Sequence, residues 1–201
     1  MKFIYTPASP FARKVLVAAH EAGIAGRLQL VEQAVSPVAR NPEVAARNPL
    51  AKVPVLELDD GTPLYDSRVI VAYLAELPGA ASIMPPGAQR WPALRLHALA
   101  DGLLDAAVLL RYETALRPVA LRWPEWIDGQ MGKVRAALDS IEADAAALQG
   151  PATVERIAVA CALGYLDFRF AGEDWRCGRP GAAAFYEAFS QRPSMKATAP
   201  A

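Results

Sequence analysis

Three short stretches in the first third of the chain hold the residue types most able to do chemistry. Ser9-Pro10 sets a hydroxyl just ahead of a proline where a helical pattern opens, so free N–H groups and the positive end of a helix face outward beside it. Such a place holds an anion, and it equally describes a serine that only caps its own helix. Lys52-Val53-Pro54-Val55 puts a proline immediately before a strand. A cis Val53–Pro54 bond would offer the N–H and C=O of Val53 to an extended peptide ligand, whereas a trans proline at a strand start would offer nothing. Asp66-Ser67 lies between a strand and a helix, where carboxylate, hydroxyl and terminal N–H groups meet. The set suits an amino-acid head group, with an ammonium on Asp66 and a carboxylate on Ser67 and the helix end. Taken singly, this too reads as a cap.

Farther along, His97, Asp101 and Asp105 recur every four residues with Tyr112 continuing the row, which places them on one side of a helix. Three ligands on successive turns of one helix converge poorly on a metal, so the row is read as the wall of a crevice or a subunit contact. Arg111, Tyr112 and Trp175 are candidates for a second-substrate pocket. Cys161 falls in an apolar helical run and reads as core, while Cys177 lies in a loop beside Trp175 and reads as an exposed thiol. Two cysteines and two histidines supply neither a zinc set nor a disulfide framework, so no metal and a reducing, cytoplasmic setting are expected.

The elements that must position these residues change character along the chain. Strand signals at 2–6, 28–32, 55–58 and 63–65 are interleaved with helical patterns at 10–21 and 67–77, with only short helical turns between Ser36-Pro37 and Lys52. Gly23 is placed to end the first helix, and Asp59-Asp60-Gly61-Thr62 to turn a hairpin through positive φ angles. The proline- and glycine-rich stretch 78–88 reads as a linker between a domain at 1–77 and one at 89–201. The second is alanine-rich and helical throughout, with helices at 90–117, 124–149, 154–170 and 180–190.

In their order, a serine at the end of the first strand, Val-Pro before a hairpin, Asp-Ser before a helix and then an all-helical half, these features resemble the glutathione S-transferase family, in its bacterial, serine-type form, over essentially the whole chain. The stretches that carry the likeness are Ser9 to Lys14, Asn48-Pro49-Leu50-Ala51-Lys52-Val53-Pro54 and Asp66-Ser67. The resemblance implies a fold of α/β plus all-α type, a thioredoxin-like glutathione-binding domain followed by a helical one. It implies Ser9 as hydroxyl donor to the glutathione sulfur, Val53 before a cis Pro54 as backbone partner of the cysteinyl unit, and Asp66 and Ser67 on the γ-glutamyl group. Lys52 would face the glycyl carboxylate or stand in solvent. Tyr5 is the rival hydroxyl, since other branches use a tyrosine near the end of the first strand. Glutathione is then a co-substrate, the partner a small hydrophobic electrophile met in detoxification, and the protein a homodimer. The branches that make mixed disulfides carry a cysteine where this chain has Ser9.

Three positions depart from the family's pattern. Ala51 replaces a glycine, Asp66 a longer glutamate, and Arg156 the capping aspartate expected three residues after Thr153. Thr153 is still expected to cap, and Glu155 to offset part of the mismatch between Arg156 and the helix end. The other class of protein compatible with the same residues is a non-catalytic glutathione-binding or interaction module, since a shared fold does not carry chemistry with it.

Composition narrows the field further. The 201 residues are 53% hydrophobic, enough to fill a core, and 21 Lys and Arg against 21 Asp and Glu leave no formal net charge. No excess field is available for a nucleic-acid backbone or an anionic membrane. Pro7 interrupts the amino-terminal stretch too early for a secretion signal, and no apolar run reaches spanning length.

Overall fold

In the computed structural model, which describes residues 1–200, four strands form one sheet in the order β2-β1-β3-β4. The strands are β1 (Lys2–Tyr5), β2 (Gln29–Glu32), β3 (Val55–Glu57) and β4 (Pro63–Leu64). β1 and β2 run parallel, joined by helix α1 (Pro10–Glu21), while β1 with β3 and β3 with β4 are antiparallel. In this register Ile4 faces Val55 and Leu56 faces Leu64. Side chains alternate across the sheet. Phe3 and Leu56 are buried against α1 and α3 (Ser67–Ala75) on one face, and Ile4 and Val55 meet Val44 of the short α2 (Pro42–Ala45) on the other. Leu30, on the Phe3 side of edge strand β2, stays half exposed because no further strand or helix covers it.

Local chemistry ends each element. Ser9 caps α1 by accepting from Ala12 N–H at 3.2 Å. Gly23, at φ +73°, lets its N–H reach the His20 carbonyl and that of Ile24 the Ala19 carbonyl, closing the last turn. The hairpin turns differently from expectation: only Gly61 takes a positive φ, +85°, while Asp60 stays in the ordinary region and its carboxylate accepts from Thr62 N–H. One glycine suffices because the longer connection closes through Leu58 N–H on the Thr62 carbonyl.

The helical half consists of α4 (Arg90–Ala115), α5 (Pro124–Ala143), α6 (Val154–Arg169), α7 (Pro180–Ser190) and α8 (Pro193–Ala197). α6 is apolar nearly all round and buried between α4 and α1, so a single hydrophobic core runs from the sheet into the helical bundle. α8 lies beyond the last helix legible in the sequence. Pro193 starts it, and Arg192 and Ser194 fasten it to Glu21 of α1 through bonds of 2.5 to 2.7 Å. α5 stops at Ala143, short of the expected 149, and passes into a 3₁₀ turn at Ala145–Leu148. Among the described residues no helix is long and apolar enough to cross a membrane.

The expected cap on α6 is not formed. Thr153 has the backbone angles of a cap, but its hydroxyl donates to Glu155 Oε1 at 2.6 Å instead of accepting from the helix. Arg156 avoids the dipole by folding back onto the carbonyls of Ala147 and Pro151. The Thr153 side chain is turned toward the acid at the second helical position, and neither it nor Glu155 bonds a helix N–H; Glu155 contributes only its charge at the helix end.

Candidate functional site

Strand direction brings the three candidate stretches together. β1 and β4 run the same way and β3 the opposite way, so the end of β1, the start of β3 and the end of β4 share one edge of the sheet. Ser9, Val53 and Asp66 follow or precede these three strand ends. Helix α4 stands over the same edge, and Asp101 on it receives Arg68 of α3 at 2.7 Å and Lys14 of α1 at 2.6 Å.

At this edge several groups keep unused hydrogen-bonding capacity. Ser9 accepts from Ala12, which leaves its own hydroxyl hydrogen free to donate, and the Phe11 N–H has no acceptor among the described residues. The Val53–Pro54 peptide is cis, and neither the N–H nor the C=O of Val53 is paired among the described residues. Asn48 holds the loop that presents it, its side chain donating to the Lys52 carbonyl and accepting from Leu50 N–H. Ala51 in that loop sits at φ +53°, the left-handed region where glycine is unstrained, and this is the position that departs from the resemblance. Lys52 is exposed and without an ionic partner among the described residues. Asp66 caps α3 through Oδ1 on Arg68 N–H at 2.9 Å, leaving Oδ2 open, and the Tyr65–Asp66 peptide is also cis. Ser67 is buried with its hydroxyl unpartnered among the described residues.

Behind the edge lies a second polar cluster whose buried charges are paired. Lys14 Nζ, with no exposure, donates to Asp101 Oδ1 and, at 2.9 Å, to His97 Nε2. Because an ammonium only donates, Nε2 must accept and the ring proton sits on Nδ1. Burial, reinforced by the Lys14 ammonium, holds the His97 imidazole down to about 4, so it is neutral near pH 7. Burial works against the Asp101 charge, yet Lys14 and His97 beside it hold the carboxyl below its usual range. Burial lowers Lys14 in turn. The expected row on α4 therefore divides: His97 and Asp101 are internal struts between the two halves, while Asp105 stands toward the crevice. Its carboxyl is raised by partial burial and by Asp101, and lies within the fields of Arg68, Lys52 and Asp66. No cluster able to hold a metal occurs among the described residues.

Other candidates separate as well. Tyr5 stacks on Phe3 inside the sheet layer, at 5.8 Å between ring centres, whereas Ser9 lines a small cavity with Arg13, Cys161, Tyr165 and Phe168. Trp175 is core, 1% exposed with its indole N–H on Asp167 at 2.7 Å, and is no part of a substrate pocket. Arg111 and Tyr112 are half-buried and near enough to act on the Tyr165 phenol. Cys161 is buried and Cys177 exposed. Sequence reasoning missed Arg13, Tyr165 and Phe168 as cavity walls; for Arg13 the signal was present, since it follows Ser9 by one helical turn.

Residues 8–77 match the family model "Glutathione S-transferase, N-terminal domain" and residues 124–188 "Glutathione S-transferase, C-terminal domain". The chain is 32% identical to the uncharacterized GST-like protein YibF of Escherichia coli K12, covering 100% of this chain and 98% of that protein. It resembles a crystal structure of a glutathione transferase family member from Pseudomonas fluorescens Pf-5 with bound glutathione, at 48% identity and TM-score 0.97, over 100% of this chain and 98% of that one. A structure of a family member from the same organism holds S-(propanoic acid)-glutathione, at 47% identity and TM-score 0.92, covering all of both chains.

Proposed function

Since the chain belongs to the glutathione S-transferase family, we propose that it conjugates the thiolate of glutathione to a small electrophile with an apolar body, and that Ser9 stabilises the thiolate. The observation that carries this reading is the gathering of open donors and acceptors on Ser9, Val53, Asp66 and Ser67 at one sheet edge, beside a cluster whose buried charges are paired. Ser67 is buried, Ser9 and Val53 are half-buried and Asp66 is exposed; polar groups left open together in this way suit a polar ligand. Val53 would pair with the cysteinyl backbone, Asp66 with the γ-glutamyl ammonium, Ser67 and the start of α3 with its carboxylate, and Lys52 with the glycyl carboxylate. Similar chains that hold glutathione and a glutathione conjugate support glutathione as the ligand.

The chemistry follows from the thiol. A free thiol titrates near 8.5 and is largely protonated at neutral pH, whereas the thiolate is the nucleophile. A hydroxyl donating to a charged sulfur contributes roughly 1.5–3 kcal/mol and a helix end roughly 0.3–1 kcal/mol. At about 1.4 kcal/mol per pKa unit, together they lower the thiol by roughly one to three units. Ser9 is able to do this without losing its cap, because its lone pair serves Ala12 and its proton serves the sulfur. The thiolate then forms the S–C bond, and the electron pair displaced from the electrophile leaves with its leaving group or is protonated. We place this activity in a homodimer in the cytoplasm; the apolar side chains left in solvent at Leu50, Val69 and Trp91 support the self-association.

Ser9→Ala tests the assignment. Glutathione affinity by calorimetry is expected to be retained while conjugation falls roughly ten- to hundred-fold. Wild-type turnover in that variant would reassign the role, and binding without turnover in the unaltered protein across a panel of electrophiles would make it a glutathione-binding module instead.

A further inference from the structure

Arg13 stands one turn beyond Ser9 on α1 and is 8% exposed. Its Nη2 donates to the Met195 carbonyl of α8 at 3.1 Å, its Nε has no acceptor, and it forms no ion pair among the described residues. A guanidinium cannot shed its charge in a protein, and a cation taken out of water without a counter-ion is costly. The fully buried cation nearby, Lys14, is matched to Asp101; Arg13 is not. The titratable groups around it offer nothing in exchange. Burial pushes the Cys161 thiol up to about 11 and raises the phenols of Tyr165 and Tyr186, so all three are neutral near pH 7. The backbone of α6 is nevertheless shaped around this charge: a Cβ at Gly164 would lie 2.7 Å from Nη1 of Arg13 and 2.8 Å from the Tyr186 hydroxyl.

Arg13 shares with Ser9, Tyr165 and Phe168 a cavity of about 10 Å³, the room that one water or one ligand oxygen takes. We infer that the electrophile carries a carboxylate, one oxygen of which is received by Arg13 while the apolar body lies against Tyr165 and Phe168. The inference rests on the reading that Ser9 faces the glutathione sulfur, because that places the sulfur's substituent beside Arg13. It makes Arg13 a specificity residue, distinct from the groups that hold glutathione itself.

A matched pair of conjugates tests it on the full chain by calorimetry: S-(2-carboxyethyl)glutathione and S-propylglutathione, which differ at the substituent's end by a carboxylate against a methyl. The wild-type protein is expected to bind the carboxylate conjugate about ten-fold or more tightly than the propyl one, the effect of a single charge-assisted bond from arginine. Arg13→Met is expected to bring the ratio close to one with propyl affinity unchanged, and Arg13→Lys to restore part of it. A purely structural role would weaken both conjugates alike. Equal affinities in the wild-type protein overturn the inference whatever the variants do, and a preference that survives Arg13→Met overturns it as well. Glutathione binding with equal conjugate affinities removes this inference alone, whereas failure of glutathione to bind removes the site and the inference together.

Discussion

The open edge at Ser9, Val53 and Asp66 and the closed cluster at Lys14, His97, Asp101 and Arg68 both draw on α1 and α3 and lie side by side, the closed cluster adding α4, yet their polar groups are treated in opposite ways. In the closed cluster the Lys14 ammonium and both Asp101 oxygens have partners at 2.6 to 2.9 Å. At the open edge, hydroxyls, a backbone N–H and C=O and a carboxylate oxygen remain available. The difference separates groups that hold the halves together from groups free to bond something else: buried polar groups that are satisfied contribute structure, and those left open suit recognition.

Removing the centre of the closed cluster is expected to show the largest effect. Asp101→Ala leaves Lys14 buried without its counter-ion and should lower unfolding free energy by about 3–5 kcal/mol, read from denaturant midpoints; a loss under 1 kcal/mol would mean the cluster is not a strut. Acid should act on the same cluster. An unfolded histidine takes up its proton near 6.5 whereas His97 does so at about 4, so the unfolded state binds more protons in that window. The contribution is complete above pH 6.5 and lost on the way down to pH 4, on the order of 3 kcal/mol, with Asp101 adding a loss in the same direction as pH falls through its depressed value. His97→Gln should flatten the stability profile in that window.

The open edge should respond the other way round. Ser9→Ala is expected to cost only about 1 kcal/mol of stability, the worth of a helix cap, while turnover collapses; a large stability loss would place Ser9 with the struts. The smallest effect belongs to the loop that presents Val53. Ala51→Gly removes a left-handed alanine, worth roughly 1–2 kcal/mol of strain, but adds roughly 0.5–1 kcal/mol of unfolded-state freedom, so a gain of about 1 kcal/mol or less is expected in thermal unfolding.

Much of this was legible beforehand because the signals are local. Pro10 after Ser9 marks where α1 begins and Gly23 where it ends, Gly61 marks the hairpin, and Pro180 opens α7, each through the φ angle or missing donor of a single residue. Thr153 misled because its side chain turns toward Glu155 two residues on and away from the helix N–H groups, an orientation that residue type alone does not give. Trp175 misled because an indole suits a pocket and a core equally, and only its bond to Asp167 and its burial decide between them. The short α8 escaped notice because five residues carry too little periodicity; Glu21, more than 170 positions away, holds it.

By itself, then, the sequence determined the kinds and order of the elements, the ends of most helices and the three stretches that meet at the sheet edge, since each follows from chain stiffness, capping and hydrophobic period over a few residues. The tertiary structure alone decided that His97 and Asp101 belong to the interior while Asp105 faces the crevice, and that Arg13 is buried beside Ser9 with no anion to meet it among the described residues. Those outcomes depend on which side chains from distant segments arrive at one place and on how much water remains there, and desolvation and charge pairing are set by that meeting, not by any stretch of chain.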